Sequence, residues 1–332
     1  MSDTPEQIDV VIVGAGPAGL AAAGALLEGG RRVMVVDARH TVGSPLRCGE
    51  VARARLFDEL GVAPRREWVR QELDAPLGMA VIDRPRVEAD VVRLLGERGA
   101  LIRTGTTVTG VGPCARGERR VQLRSGAARH EVRARLVIAA DGVASHVARM
   151  AGIDTRLRLD QVVSCLAWRV VETRISEPRK VVLDYLPELR PNYFWVIPSG
   201  EGQANVGLGV PGHRGHLLPT LLEHHAARSR HHSGGQLREV IAGAYPSTKP
   251  LARPYADSLM VVGTAARLVN ALTGEGIWQA AHSGRAAALT YLEAGSAAEA
   301  RLAGYRRRLD PLYRELHRSL ELKRKLTPRG PS

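Results

Sequence analysis

Residues 8–37, IDVVIVGAGPAGLAAAGALLEGGRRVMVVD, contain the pattern that decides the fold. Residues 8–13 form a short, apolar, β-branched run, which is typical of a buried parallel strand. A glycine loop and an alanine-rich helix follow, and a second strand, 32–36, ends at Asp37. The segment therefore predicts a β-turn-α-β unit, right-handed as parallel crossovers are.

The glycine loop has the spacing of a dinucleotide-binding fingerprint. Gly14 permits a tight turn, Gly16 lets the backbone approach a pyrophosphate, and Gly19 lets the helix pack on the strand. The helix that includes Ala18 offers free N–H groups and a partial positive charge to the same anion. Asp37, at the end of the second strand, is placed to hold a ribose diol. The loop is therefore predicted to bind a dinucleotide.

The rest of the chain predicts more strands of this sheet and a second sheet. Apolar runs at 136–140 and 259–262 indicate buried strands, and a long helix is expected at 277–293. Residues 160–210 predict an antiparallel sheet, whereas 213–245 is expected to be helical. Shorter elements are expected at 88–98 (helix) and at 101–103, 106–112, 119–124 and 131–137 (strands).

These elements predict an α/β chain with an α+β second part, in which the chain leaves the nucleotide domain and later returns to it. The predicted boundaries are 1–60, 83–158 and 253–295 for the nucleotide-binding domain, 61–82 and 159–252 for a substrate domain, and 296–332 for a basic C-terminal helical segment.

The composition is that of a globular protein, since 44% of the 332 residues are hydrophobic and 24% are charged. No apolar run is long enough to span a bilayer, and the acidic start, 1–7, lacks the features of a signal peptide. Three scattered cysteines do not suggest a disulfide framework. We therefore expect a cytoplasmic protein. No metal site is expected, because the histidines at 213–232 lack accompanying Cys or Asp ligands.

The net charge of +13 is concentrated at the C-terminus, where residues 301–332 hold ten basic and three acidic side chains. Leucines recur at helical spacing between 302 and 320. A basic amphipathic helix of this kind packs on its own domain or lies on an anionic bilayer. We expect self-packing, with peripheral membrane contact through 301–326 as the open alternative and no nucleic-acid partner.

Several blocks of the chain resemble the geranylgeranyl reductase family, flavoproteins built like p-hydroxybenzoate hydroxylase. The blocks are GAGPAG at 14–19, GSPLRCGE at 43–50, Asp83-Arg84, ADG at 140–142, YFWVIPSGEGQANVGLG at 193–209 and VGTAARLVNALTGEGI at 262–277. They follow one another in the family's order over most of the chain. The resemblance implies a Rossmann-like FAD-binding domain of the glutathione reductase and p-hydroxybenzoate hydroxylase type, with an inserted antiparallel-sheet substrate domain.

Carried over by position, the family pattern implies where FAD contacts the chain. Asp37 would bind the adenosine ribose, and the loop around Cys48 would lie near the flavin. Gly276 and Ile277 would present backbone N–H groups to the isoalloxazine ring, which stabilises its anionic reduced form. The implied contacts are Gly14, Gly16, Ala18, Gly19, Asp37, Arg47, Cys48, Glu50, Arg84, Val108, Asp141, Thr264, Gly276 and Ile277.

The sequence departs from the family pattern at three positions. Thr264 stands where the family has an aspartate, Val51 where it has a glycine, and Ala271 where it commonly has a proline. Threonine can still donate a hydrogen bond but brings no charge. These departures put the strength of FAD binding and the turnover in question.

Three residues are candidates for the reaction itself. Cys48 adjoins Arg47 and lies beside the flavin in similar proteins, so it is a candidate for gating or proton delivery, with a structural role left open. Tyr193 and Trp195 alternate with Phe194. They are expected to form one apolar wall of a substrate cavity, with ordinary sheet core as the alternative.

The resemblance implies an FAD-dependent reductase that saturates C=C bonds of a polyprenyl, geranylgeranyl-type chain on a lipid, quinone or diphosphate. Because one convincing dinucleotide fingerprint is visible, the reductant is expected to be transiently bound NAD(P)H or a protein electron donor. Two alternatives stay open. One is an FAD monooxygenase or halogenase acting on an aromatic or polyketide, because YFWVIP at 193–198 approximates the WxWxIP block of flavin halogenases. The other is a flavin- or lipid-binding protein without turnover.

Overall fold

The β-turn-α-β unit predicted at the start of the chain is present in the computed structural model, which describes residues 6–295 and 297–326. Its two strands pair in parallel, with Val10 opposite Val33. Residues 1–5, 296 and 327–332 lie outside the described residues. The acidic start of the chain and both ends of the predicted segment 296–332 are therefore not tested.

In chain order, the strands are β1 (Glu6–Val13), β2 (Val33–Val36), β3 (Val51–Arg53), β4 (Val69–Glu72), β5 (Met79–Ile82), β6 (Leu101–Arg103), β7 (Thr106–Val111), β8 (Arg119–Ser125), β9 (Ala128–Ala139), β10 (Val162–Val171), β11 (Arg174–Ile175), β12 (Val182–Asp184), β13 (Phe194–Pro198), β14 (Gln203–Pro211), β15 (His232–Ser233), β16 (Gln236–Pro246), β17 (Tyr255–Ala256) and β18 (Leu259–Val261). The helices are α1 (Pro17–Glu28), α2 (Leu56–Leu60), α3 (Arg84–Glu97), α4 (His146–Met150), α5 (Leu218–Arg228), α6 (Ile277–Ala294), α7 (Glu299–Leu302), α8 (Gly304–Arg308) and α9 (Asp310–Leu326).

The larger sheet brings distant parts of the sequence to one edge. Its strand order is β17-β18-β9-β1-β2-β6, with the hairpin β7–β8 joined to β9. The neighbours from β18 to β6 run parallel. Since parallel strands end at the same edge of a sheet, the glycine loop, Asp37, Asp141 and residues 263–276 all meet there.

Strand β9 corrects one sequence prediction. We expected separate strands at 131–137 and 136–140, but residues Ala128–Ala139 form one continuous strand. Its first half pairs with β8 and is mostly exposed, whereas its last four residues, 136–139, pair with β1 and are fully buried, and 137–139 also pair with β18. One strand therefore begins with an exposed, polar stretch and ends with a buried, apolar one. The change of pattern within the strand is why the sequence predicted two strands.

The second sheet is antiparallel, as predicted for 160–210, with the order β12-β13-β14-β10-β16. The prediction that 213–245 is helical is wrong in its second half. Helix α5 ends at Arg228, and Gln236–Pro246 is a strand that pairs with β10 from Val162 to Val171. This edge strand buries little apart from Ile241 and Pro246. This segment is therefore a strand because of its hydrogen bonds to β10, a tertiary interaction that overrides the local hydrophobic pattern.

The C-terminal helices pack on the rest of the chain. Helix α8 ends at Arg308 and α9 begins at Asp310, so Pro311 occupies the first turn of α9, where its missing N–H is not needed. The leucines from Leu302 to Leu320 are at most 5% exposed. Tyr305 and Tyr313 donate hydrogen bonds to the carbonyls of Val261 and Leu251. Self-packing of the leucine face is therefore confirmed.

None of the described helices is both long and apolar enough to cross a bilayer.

Helices α1 and α6 touch at a glycine, and this contact yields a prediction. A Cβ at Gly284 would lie 1.9 Å from the carbonyl oxygen of Ala18. Because backbone cannot move aside as a side chain can, we expect Gly284→Ala to lower the free energy of unfolding by about 3 kcal/mol. Gly96→Ala in α3 is the matched control, since its Cβ would lie 4.0 Å from the nearest atom, Cγ1 of Ile102. Urea unfolding of both variants measures the difference, and equal midpoints would contradict the proposed helix contact.

Candidate active site

The glycine loop is folded tightly at the amino end of α1. Gly14 has φ +112° and packs so closely on the Ala140 carbonyl that a Cβ would lie 2.3 Å from its oxygen. A Cβ at Gly19 would collide with the carbonyl of Gly14. The amides of Ala18 and Gly19, in the first turn of α1, donate no hydrogen bond to other described residues. The loop thus presents free N–H groups in a backbone shape that tolerates no side chain at Gly14 or Gly19.

Asp37 holds this loop in place. Its carboxylate accepts hydrogen bonds from the amide of Ala15, at 2.8 Å, and from the backbone and guanidinium of Arg39. Burial opposes ionisation of Asp37, but these donors outweigh it and hold the pKa of the carboxyl below its ordinary value. The amide of Thr106, at the start of β7, donates to the Asp37 carbonyl. Val108 lies farther along β7 with its side chain in the core, so it offers the site only backbone.

Arg84, the first residue of α3, lies between the glycine loop and Cys48. Its Nε donates to Glu88 at 2.7 Å, and its guanidinium is close enough to the Cys48 sulfur to interact with it electrostatically. The position of a Cβ on Gly16 would be 3.9 Å from Nη2 of Arg84, which is its nearest neighbour. A cation therefore faces the amino end of α1, while the Arg47 side chain is exposed to solvent.

The loop RCGE is fixed by its glutamate. Glu50 has φ +64° and is 2% exposed, and its carboxylate accepts from the Arg84 amide and from Nη2 of Arg169 at 2.9 Å. Burial raises the pKa of Glu50, and Arg169 opposes only part of this effect. Since Arg169 belongs to β10, this ion pair joins the loop to the antiparallel sheet. The amide of Glu50 also donates to the Cys48 sulfur at 3.2 Å.

The segment 270–277 precedes α6 and is held by hydrogen bonds to Arg53 of β3, Ser319 of α9 and Tyr193. Arg53 on β3 donates to Glu275 at 2.8 Å and to Glu315 of α9 at 2.9 Å, and it lies over the ring of Trp278. Among the described residues, the amides of Gly276 and Ile277 at the start of α6 donate no hydrogen bond. Their N–H groups and the helix dipole are available to a ligand.

Tyr193 and Trp195 face this segment and the RCGE loop. Phe194 points the other way, into the cluster that packs on α5. Trp195 packs with Cys48, Leu46, Ala167 and Ile241, and its ring N–H donates to Asn205 at 2.7 Å. The hydroxyl of Tyr193 donates to the Thr273 carbonyl, and burial raises the pKa of this phenol. The predicted alternation is therefore present, and both rings lie on the side of the sheet that faces the glycine edge.

This inner face of the sheet is lined by small residues. A Cβ at Gly207 would lie 2.5 Å from the Trp195 ring, and one at Gly243 would lie 2.9 Å from the Arg47 carbonyl oxygen. Helix α9 adds Lys323, which is 5% exposed and donates to Asn192 at 2.8 Å. Burial lowers the pKa of Lys323 to about 8.

Asp141 and Thr264 follow the next two strands of the large sheet. One Asp141 oxygen accepts from the Val147 amide at 2.9 Å, and burial raises the pKa of this carboxyl. The other oxygen is buried without a hydrogen-bond partner among the described residues. Thr264 is half-buried in a short turn after β18. A buried acceptor without a partner, next to free helix amides, fits a ligand that brings both hydroxyl groups and phosphate.

Sequence reasoning missed several residues of this site. Arg53 and Arg169 belong to no motif, and their roles depend on contacts between segments more than a hundred residues apart. Tyr245 lies beside Gly274 but falls in the stretch wrongly predicted to be helical. Lys323 looked like one of many basic tail residues. Only Glu275 carried a signal, as a member of the LTGEGI block.

Comparisons with known proteins agree with this geometry. A family model described as FAD binding domain matches residues 7–68 and 52–318. Digeranylgeranylglycerophospholipid reductase 1 of Methanopyrus kandleri is 35% identical over 316 residues, which cover 87% of this chain and 81% of that protein. The crystal structure of a geranylgeranyl bacteriochlorophyll reductase-like protein from Thermoplasma acidophilum superposes with a TM-score of 0.90 at 27% identity, over 97% of this chain and 88% of the other. The myxobacterial chondrochloren halogenase, 19% identical, superposes with a TM-score of 0.72 over 98% and 84% of the two chains, which shows the fold alone.

The predicted fold class is confirmed: a parallel FAD-binding sheet of the p-hydroxybenzoate hydroxylase type with a separate antiparallel sheet. The cofactor is FAD, and the protein is an FAD-dependent oxidoreductase. The family model spans most of the chain, and the curated relative exceeds 30% identity over most of both proteins. This chain belongs to the geranylgeranyl reductase family.

Proposed function

We propose that the protein saturates carbon–carbon double bonds of a polyprenyl, geranylgeranyl-type chain carried by a lipid, quinone or diphosphate. One observation carries this proposal: the apolar face with Tyr193 and Trp195 lies against the RCGE loop and the segment ending at Gly276. The name of the Methanopyrus kandleri relative supports the same substrate class. The substrate is then a hydrophobic molecule bound where the two sheets face each other.

The site residues fall in the order in which the parts of FAD follow one another. Asp37 would hold the adenosine ribose, sharing its carboxylate with Arg39. The α1 amides at Ala18 and Gly19, with Arg84 opposite Gly16, would hold the pyrophosphate. Gly14 and Val108 would shape this half of the site through their backbone.

The remaining contacts would hold the flavin half. Asp141 and Thr264 would bond the ribityl chain, and the amides of Gly276 and Ile277 would face the N1/O2 edge of the ring. Arg47 and Glu50 would act through the loop backbone, since the first is exposed and the second is committed to Arg169. Held by these residues, reduced FAD would supply the hydride for one alkene carbon.

An unactivated alkene gives the protein no carbonyl to polarise. The contribution of this chain is therefore orientation and exclusion of water, which a face built from Trp195, Leu46 and Ile241 provides. The Tyr193–Thr273 bond holds the aromatic wall against the loop that ends at Gly276. The distance between this aromatic wall and the isoalloxazine ring would then be set by the fold and not by the substrate.

The other alkene carbon needs a proton, and we propose Cys48 as its donor or as the gate to it. The Cys48 sulfur accepts a hydrogen bond from the Glu50 amide at 3.2 Å, and the Arg84 guanidinium interacts with it electrostatically. These contacts would hold the thiol in one position at the loop. Reducing equivalents would come from NAD(P)H bound transiently or from a protein donor. The protein would act in the cytoplasm or at a membrane surface, where its lipid substrate lies.

The YFWVIP block at 193–198 keeps an FAD monooxygenase or halogenase as the second candidate. The two candidates differ in product: a saturated chain, or an oxidised or halogenated aromatic.

Mass spectrometry of lipids after incubation with the purified holoprotein distinguishes them. With a geranylgeranylated lipid and a chemical reductant of the flavin, we expect the product mass to rise by two hydrogens for each bond reduced. The same lipid with fully saturated chains is the control and should not change. Consumption of oxygen coupled to NAD(P)H oxidation, without a saturated product, would instead identify a monooxygenase.

The role of Cys48 is tested by substitution. If Cys48 delivers the proton, Cys48→Ala should lower kcat by about 10²-fold or more, the contribution usual for a general acid, while the flavin content stays unchanged. Cys114→Ala is the matched control, because this half-buried thiol contacts Ser258 away from the loop. Unchanged turnover in Cys48→Ala would leave that residue with a structural role only.

A further inference from the structure

A groove of about 370 Å³ runs between α9 and the segment 270–272, on the side of this segment that borders α9. Its walls include Leu272 on one side and Arg314, Arg318 and Leu322 on the other. The three α9 residues follow one another at intervals of four, so they form one exposed row on the helix.

The groove is basic because its two arginines are uncommitted. Arg314 and Arg318 are exposed, and within the described part of the chain neither forms a hydrogen bond or an ion pair. Glu315, the carboxylate between them, is already bonded to Arg53 at 2.9 Å. Two guanidinium groups one helical turn apart can hold a phosphate from two directions, each with paired N–H donors.

The groove is also close to the reacting end of the site. Leu272 is four residues before Gly276, so the two lie at most about 14 Å apart even in a fully extended chain. The Ser319 hydroxyl accepts from the Ala271 amide at 3.2 Å, and Arg53 ties Glu275 to Glu315. Hydrogen bonds therefore connect the groove to the segment that ends at Gly276.

Apolar side chains flank the two cations. Leu322 is 52% exposed and Leu326, one turn farther along α9, is 48% exposed. Leu272 is half-buried on the opposite wall. Exposed leucines next to unpaired arginines are complementary to a molecule that joins an anionic group to a hydrocarbon chain.

We propose that this groove binds the phosphate of the prenylated substrate, with Arg314 and Arg318 as its ligands, while the prenyl chain lies along the Tyr193–Trp195 face. This inference rests on the proposed function and deepens it: the preferred substrates carry a phosphate group. The groove then selects substrates that carry a phosphate and sets how far the prenyl chain extends along the Tyr193–Trp195 face. It does not contact the reacting atoms.

Steady-state kinetics of the full-length holoprotein tests the groove, using two substrates that differ only in phosphate: geranylgeranyl diphosphate and geranylgeraniol. For the double variant Arg314→Gln/Arg318→Gln, we expect the KM for the diphosphate to rise about 10- to 100-fold, since charge-assisted hydrogen bonds are lost. The KM for the alcohol and both kcat values should stay within about twofold. Arg324→Gln, an exposed arginine of α9 outside the groove, is the matched control and should change neither KM.

The outcomes separate this inference from the proposed function. If the unmodified protein reduces both substrates and the double variant leaves both KM values unchanged, the groove proposal is wrong and the function stands. If neither substrate is reduced, the proposed function itself fails for these compounds. If the variant loses binding to vesicles of anionic phospholipid without prenyl chains while its KM for dispersed diphosphate is unchanged, the groove is a membrane contact and the proposal is overturned.

Discussion

The hydrogen bond from the Ala15 amide to Asp37 is the constraint on which the site depends. It ties the glycine loop to the end of β2, so that loop and carboxylate take one fixed geometry. Gly14 and Gly19 leave no space for side chains in that geometry, and the first-turn amides of α1 are thereby left free to bind an anion. The strands that follow β1 and β2 in the sheet bring Asp141 and the 263–276 segment to the same edge.

Two ionic contacts then join separate segments near that edge, and one of them reaches the antiparallel sheet. Glu50–Arg169 joins the RCGE loop to β10, and Arg53 joins β3 to the segment before α6 and to α9. Burying such charges is costly unless each has its partner. The arrangement is therefore tolerated only when all the segments are in place, and this couples the shape of the substrate face to that of the nucleotide site.

The sequence predicted the parts of the structure that local patterns determine. The β-turn-α-β unit, the antiparallel sheet and the alternation of Phe194 with Tyr193 and Trp195 follow from hydrophobic period and glycine spacing. The edge strand β16 was missed because its hydrogen bonds to β10, not its own pattern, make it a strand. The partners of Glu50 and the burial of Lys323 were missed because both depend on tertiary contacts that no spacing encodes.

The central claim is that separated segments of the chain close around one dinucleotide that contains a flavin. The most direct measurement is a titration of flavin-stripped protein with FAD and, separately, with FMN, followed by quenching of flavin fluorescence. The account predicts saturation at one FAD per chain and much weaker binding of FMN, which lacks the adenosine half that Asp37 and the α1 amides would hold. Equal affinity for FMN, or no saturable binding of either flavin, would contradict it.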